Sequence, residues 1–289
     1  MEPPRYDGIF QFMVSEYSGL EKQSSRERFF VNDIEENQYT RLVGEPSSFR
    51  VIFETPEEAS ERLEKFVKAC GADLYGTCHL SQEMVFKGSD VKGKNVISIG
   101  YQMDIGSINT APDPPAGIEA LRAYWRLGWI VMRTAEFIRS MGYNAQGHQV
   151  RTFLGDPPTI LHSLAAERSG LGEFGRLGFL VTREFGPRVR FGSITTDLPL
   201  PDVGSMQFGV EEFCSNCTIC ADKCAGKAIP YEKSFVRGFE KYTIDPYKCL
   251  PEFAKYDGCG ICIKVCPFNR TRGRMEWFLE GVQRLRNNP

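Results

Sequence analysis

Cys214-x2-Cys217-x2-Cys220-x3-Cys224, followed by Cys249-x9-Cys259-x2-Cys262-x3-Cys266-Pro267, is the stretch on which the reading of this chain turns. It is the ligand pattern of a bacterial-type double [4Fe-4S] module, in which the fourth cysteine of each run ligates the other run's cluster. On that rule one cluster takes Cys214, Cys217, Cys220 and Cys266, and the other takes Cys249, Cys259, Cys262 and Cys224. The chemistry explains the spacing. A cubane needs a thiolate at each of four irons, so two-residue gaps wrap a loop around three corners and the fourth ligand arrives from elsewhere.

Two other uses of cysteine compete and fit less well. Zinc sites close with two Cys-x2-Cys pairs or with histidine, which a four-cysteine run does not resemble. Disulfides belong to oxidising compartments, and cysteines this crowded would make a strained framework. Ala225 stands where proline usually follows the fourth cysteine, a departure that touches the turn and not the metal.

Working outward, 289 residues provide one sizeable domain and one small one. A hydrophobic fraction of 42% and a charged fraction of 25% are those of an ordinary globular protein. A net charge of −2 gives no electrostatic reason for a DNA or membrane-surface partner. No apolar run reaches membrane-spanning length, and residues 1–19 carry neither a signal pattern nor a twin arginine. The expectation is a reducing cytoplasm.

In chain order, residues 1–50 read as an irregular arm over the main domain, which occupies 51–205. Thr55-Pro56-Glu57-Glu58 is a capping box that opens a helix with Leu63, Phe66, Val67 and Cys70 on one face and a stop at Gly71. Residues 73–78 and 95–101 read as strands of a central sheet. Residues 114–142 carry the longest helical pattern. A loop with His148 follows, then a helix from Asp156-Pro157-Pro158 to about Arg168. Residues 177–182 and 188–195 are rich in β-formers and read as a hairpin. The cluster module covers 206–271, and 272–289 read as a helix packing back. His148, His162 and, more so, His79 are expected to be structural.

Several separate motifs in this middle region resemble the reductive dehalogenases. They are Tyr101-Gln-Met-Asp, Ala111-Pro112, Tyr124, Phe137-Ile138-Arg139, Gly142-Tyr143, the run from Ser169 to Arg176, Phe185-Gly186-Pro187-Arg188-Val189-Arg190, and Thr196-Asp197-Leu198-Pro199-Leu200. Phe208-Gly209-Val210 and Phe213-Cys214 continue the series into the clusters, so that it spans about 180 residues. The resemblance implies an α+β chain: a nitroreductase-like α/β domain that binds cobalamin, followed by a ferredoxin-like double-cluster domain that feeds it electrons. It implies a small organohalide substrate and a ferredoxin or flavodoxin as donor.

Site residues follow from the same resemblance. Tyr124 takes the position of the proton donor, and its accompanying cation is Arg176 or Arg190, with Arg176 preferred. Tyr143, Asn144, Gly170, Leu171, Gly172 and Arg190 are expected near the cofactor. Asp156 falls where the sister family, the epoxyqueuosine reductases, places a catalytic aspartate; an aspartate before proline is also a common helix cap. Tyr124 can equally be an aromatic on a packed helix, and Asn144 a turn residue. Two other functions stay open at this stage: an epoxyqueuosine-type reductase acting on tRNA, and a non-catalytic electron-transfer protein.

Overall fold

A computed structural model describes residues 25–149 and 158–271, together with 276, 278–282 and 284. Asp156 and most of the expected C-terminal helix therefore lie outside the described residues. The described part of the expected arm is helical: α1 spans Ser25–Asp33 and runs through a π-turn at Ile34–Gln38 into a 3-10 turn at Tyr39–Arg41. Its charged look hides an apolar side, with Phe30, Val31 and Ile34 buried. The Asp33 carboxylate accepts from the indole N–H groups of Trp125 (2.6 Å) and Trp129 (2.8 Å), which hold its pKa down against its partial burial.

Helix α2, Pro56–Ala69, starts as its capping residues dictate: Thr55 Oγ1 accepts from Glu58 N, and proline holds the first turn. It ends at Cys70, with Gly71 at φ +99°. Leu63 and Val67 are fully buried, worth about 1.5–3 kcal/mol each. Phe66 stacks on Phe137 at 4.0 Å.

Strands β1 (Leu74–His79) and β2 (Asn95–Gln102) pair antiparallel. The short helix α3, Ile105–Ile108, follows, and then α4, Pro114–Ser140. The expected loop after α4 contains a strand, β3, at Ala145–His148. Helix α5 starts later than expected and spans His162–Arg168. The expected hairpin is also different. Thr182 and Gly186 do close a tight bridge, yet the flanking segments part: β5 (Leu180–Val181) pairs with β4 (Glu173–Phe174), whereas β6 (Val189–Thr196) enters the main sheet.

The main sheet has the order β1-β2-β6-β3 and is antiparallel throughout. Its alternation explains its two faces. Ile97, Ile99 and Ile194 point into a core shared with α2 and α4, while Val96 joins Leu164 of α5 on the other side. His148 is buried on that second side. Its Nδ1 meets Thr159 Oγ1 at 2.8 Å and its Nε2 meets Thr195 Oγ1 at 3.0 Å, and burial depresses its pKa to about 3.

The cluster module adds α6 (Val210–Asn216), α7 (Ile219–Asp222), the hairpin β7–β8 (Ser234–Val236, Phe239–Lys241), α8 (Pro246–Lys255) and α9 (Ile261–Lys264). One apolar core joins it to the sheet domain, with Met103, Ile108, Leu177 and Val181 packing against Val210, Ile229, Ile263 and Phe268. Phe268 meets Phe213 and Phe278 edge-on at 5.2 and 5.1 Å. The contact is tight enough to demand glycine: a Cβ on Gly117 of α4 would lie 1.9 Å from the Asp257 carbonyl oxygen. Lys264 Nζ donates to the Ala111 carbonyl and Arg188 to that of Arg270 across the same seam.

Candidate metal centre and adjoining site

The eight thiols lie in loops and short helices whose N-terminal turns hold three of each run close together. Burial pushes the pKa up for six of them, to about 12 for Cys220 and about 11 for Cys249, and in the same direction for Cys214, Cys259, Cys262 and Cys266. The secondary cause sorts them. Cys266 feels Cys214, Cys220 and Cys217, while Cys262 feels Cys249, Cys259 and Cys224. Cys220 also acts on Cys262, so the two groups adjoin. The fourth cysteine of each run thus acts on thiols of the other run.

Desolvated thiols that repel one another cannot all ionise unaided, and the positive charge of a metal core is what the set lacks. Among the described residues no three His, Cys, Asp or Glu side chains converge as a single ion requires. Cys224 Sγ also accepts from Ala228 N at 3.3 Å, the type of hydrogen bond that tunes a cluster.

All four thiols of the second group, Cys224, Cys249, Cys259 and Cys262, border one apolar cavity of about 80 Å³. Across it stand Ala116 and Ala120 of α4, Ile108, Phe179 and Arg190. Arg190 is the cation next to Tyr124: its guanidinium carbon lies 5.2 Å from the Tyr124 ring centre and 5.8 Å from that of Phe179. Its Nε is buried without a hydrogen-bond partner among the described residues. The enclosed volume is smaller than a corrinoid. The four thiols that line it are the donor set of one cube, so the cavity takes in that cube's own place, and the small side chains of α4 with the orphaned Arg190 donor extend its lining beyond the thiols.

Arg176, the cation expected beside Tyr124, is elsewhere. Its buried guanidinium donates to the carbonyls of Cys214, Ser215, Cys217, Pro230 and Tyr231 and stacks over Tyr242 at 4.4 Å. Tyr143 and Asn144 do not border the cavity. Tyr143 is buried in the sheet-domain core and donates to the Val51 carbonyl at 2.8 Å, under Arg50. Asn144 is bound by Asp197, whose carboxylate accepts from both its backbone N (2.7 Å) and its Nδ2 (3.0 Å). Gly170 occupies φ +74°, and Gly172 packs against the Val181 carbonyl where a Cβ would come to 2.4 Å. Leu171 joins a small cluster with Leu74, Leu180 and Val189.

Sequence reasoning missed Phe179 and the small face of α4. The signal was Ala116 and Ala120, four residues apart on one side of the helix. It also missed Tyr101, which stands opposite Arg190 in the β2–β6 ladder and accepts from Arg122 Nη1 at 3.2 Å. Arg122 is in turn held bidentate by buried Glu119.

Residues 213–270 match the 4Fe-4S dicluster domain family. Over 206 residues the chain is 35% identical to the tetrachloroethene reductive dehalogenase of Sulfurospirillum multivorans, a match covering 68% of this chain and 39% of that protein. A solved reductive dehalogenase, described as carrying out B12-dependent dehalogenation, superposes with a TM-score of 0.78 at 25% identity, covering 89% of this chain and 39% of that one. The epoxyqueuosine reductase of Escherichia coli strain K12 is 32% identical over 145 residues, covering 46% of this chain and 37% of that protein. The chain spans about two fifths of the length of the dehalogenases it matches. No helix among the described residues is long and apolar enough to cross a membrane. With its mixed α/β fold and a dicluster domain at residues 213–270, the chain is a homologue of the reductive dehalogenases, which are oxidoreductases.

Proposed function

We propose that the protein takes part in cobalamin-dependent reductive dehalogenation, in which R–X, two electrons and a proton give R–H and X⁻, with electrons relayed through two [4Fe-4S] clusters. The observation that carries the reading is the cavity itself: four cluster thiols on one wall and Arg190, next to Tyr124, on the other. Cys214, Cys217, Cys220 and Cys266 would hold one cube, and Cys224, Cys249, Cys259 and Cys262 the other. A bound corrinoid supplies the low-valent cobalt at which the carbon–halogen bond is reduced.

The chain's own residues bind, orient and deliver the proton. Tyr124 would hand its phenolic proton to the carbon. The Arg190 guanidinium would favour the phenolate left behind and the departing halide. The apolar wall of Ala116, Ala120, Ile108 and Phe179 keeps water from the reduced centre. A ferredoxin or flavodoxin is the proposed electron donor.

Anaerobic reconstitution with iron, sulfide and cobalamin tests this. The expected result is about eight iron atoms per chain, the content of two cubes, and halide release from an aryl and alkyl halide panel under a low-potential reductant. A corrinoid-loaded, iron-replete protein that releases no halide from any member would overturn the reading. The match to epoxyqueuosine reductase supports one alternative, a reductase of a modified tRNA base. Salt-sensitive tRNA binding and turnover of such a substrate would establish that alternative instead.

A further inference from the structure

Arg176 is an arginine with an unusual position. It is 2% exposed, and no carboxylate lies within ion-pair distance of it among the described residues. Carbonyl oxygens take its donors: Cys214 O at 2.7 Å from Nη2, Ser215 O at 3.1 Å, and Cys217 O at 2.8 Å from Nε. The Tyr242 ring covers one face. Burying a guanidinium costs several kcal/mol unless a counter-charge is supplied. Carbonyl dipoles satisfy the hydrogen bonds, and a carboxylate that its charge reaches, Asp222, is exposed and forms no ion pair with it among the described residues.

The missing negative charge is next door. The carbonyls that Arg176 grips belong to the loop carrying Cys214 and Cys217, so its charge sits directly behind one thiol group. Its hydrogen bonds go to the carbonyls of Cys214, Ser215 and Cys217 and of Pro230 and Tyr231, and among the described residues none goes to the segments that carry Cys249, Cys259 and Cys262. A thiolate-ligated cube is net negative and gains a further negative charge on reduction, so a fixed nearby cation favours the reduced form. We propose that Arg176 raises the reduction potential of the cluster held by Cys214, Cys217, Cys220 and Cys266, and that it does so for this cluster and not for its neighbour. This rests on the iron–sulfur part of the function proposed above, and on no part of the dehalogenation chemistry.

Glu173 gives the opposite handle. Its carboxylate accepts from Phe208 N and Glu211 N at the start of α6, the helix that carries Cys214, and so sets a negative charge beside the same cluster. A residue that merely holds the loop would not predict paired shifts of opposite direction. The first cluster therefore becomes the station most readily reduced from outside, while the second faces the cavity.

The test is an anaerobic redox titration of the full reconstituted chain, followed by electron paramagnetic resonance, with the clusters told apart by the signal lost in Cys217→Ser. Arg176→Met is expected to move the first cluster to a more negative potential, Arg176→Lys to move it less, and Glu173→Gln to move it to a more positive one. The second cluster stays where it was in all three. Unchanged potentials, or equal shifts in both clusters, would overturn the inference. Should Arg176→Met lose its iron, Arg176→Lys and Glu173→Gln decide by the same criteria. Wild-type protein that binds no iron would defeat the cluster reading itself, and this inference with it.

Discussion

Gly117→Ala probes the seam between the sheet domain and the second thiol group. The new methyl would lie 1.9 Å from the Asp257 carbonyl oxygen and 3.5 Å from Gly258 Cα, whereas ordinary contact begins at 3.4 Å. The obstacle is backbone, so no side chain can swing aside. Helix α4 and the loop at Asp257–Gly258 must separate by roughly 1.5 Å. Overpacking of this type costs about 1–3 kcal/mol. At about 2–4 °C per kcal/mol for a chain approaching this size, the melting temperature should fall by roughly 2–12 °C. The same loop carries Cys259, and Gly258 and Gly260 border the cavity opposite Ala116 and Ala120. Separation would therefore open the cavity and expose the second cluster, so its absorbance bands should bleach faster in air. Gly281→Ala is the control, since nothing lies within 4 Å of a Cβ there and alanine suits a helix better. Thermal melts and air-bleaching rates of the reconstituted proteins measure both effects. A Gly117→Ala protein that matches Gly281→Ala in both would refute the reasoning.

Tyr124→Phe should lower the rate of halide release by about 10²–10⁴-fold, the usual contribution of a positioned acid, with iron content unchanged; full activity would remove Tyr124 as donor. Arg190→Gln should also slow release while leaving cluster content intact, whereas Arg176→Gln should alter the clusters first; iron analysis alongside turnover separates the two. Cys266→Ser should abolish the cluster of Cys214, Cys217 and Cys220, and Cys224→Ser the other; loss of the reverse partner in either variant, read by resonance, would disprove crossed ligation. His148 has its pKa depressed from the usual 6.5 to about 3, so the unfolded chain takes up its proton first. Stability from this group is complete above pH 6.5 and falls by about 1.4 kcal/mol per pH unit below it. His148→Gln should flatten denaturation midpoints between pH 6.5 and 4 relative to wild type; equal slopes would contradict the burial argument.

The cysteine runs were legible because their information is local. Two- and three-residue gaps are set by the size of a cube, and the loops that satisfy them need nothing from the rest of the chain. The capped helix α2 and the long α4 were legible for the same reason: their caps and apolar periods lie within a single element. The arm was misread because Phe30, Val31 and Ile34 sit among Ser, Arg, Asp and Glu, and their burial depends on Trp125 and Trp129 of a helix nearly 100 residues away. Strand β3, Ala-Gln-Gly-His, has no β-former to announce it. Its support comes from distant segments, the ladder with β6 and a hydrogen bond from Gly147 N to the Leu42 carbonyl, and Gly147 is needed there because Leu42 and Val131 close over it.

The choice between Arg176 and Arg190 shows where local reading stops. Both follow glycine-rich turns, both lie in motifs shared with the same families, and neither differs in chemistry. What separates them is strand pairing. Residues 177–182 and 188–195 are so alike in composition that a hairpin is the natural reading, and a hairpin would leave Arg190 at a sheet edge. Instead Gly186, at φ +60° and pressed against the Phe268 carbonyl, turns the chain so that β6 inserts between β2 and β3. The register then sets Arg190 opposite Tyr101, beneath the flank of α4 that carries Tyr124. A slip of one residue would point Arg190 to the opposite face, among Leu74, Ala166 and Leu180, and turn Phe191 to the face of α4. The same turn leaves Arg176 on the short β4–β5 side, facing the cluster loop. One long-range ladder thus sets one arginine beside Tyr124 at the cavity and the other against the loop of Cys214 and Cys217.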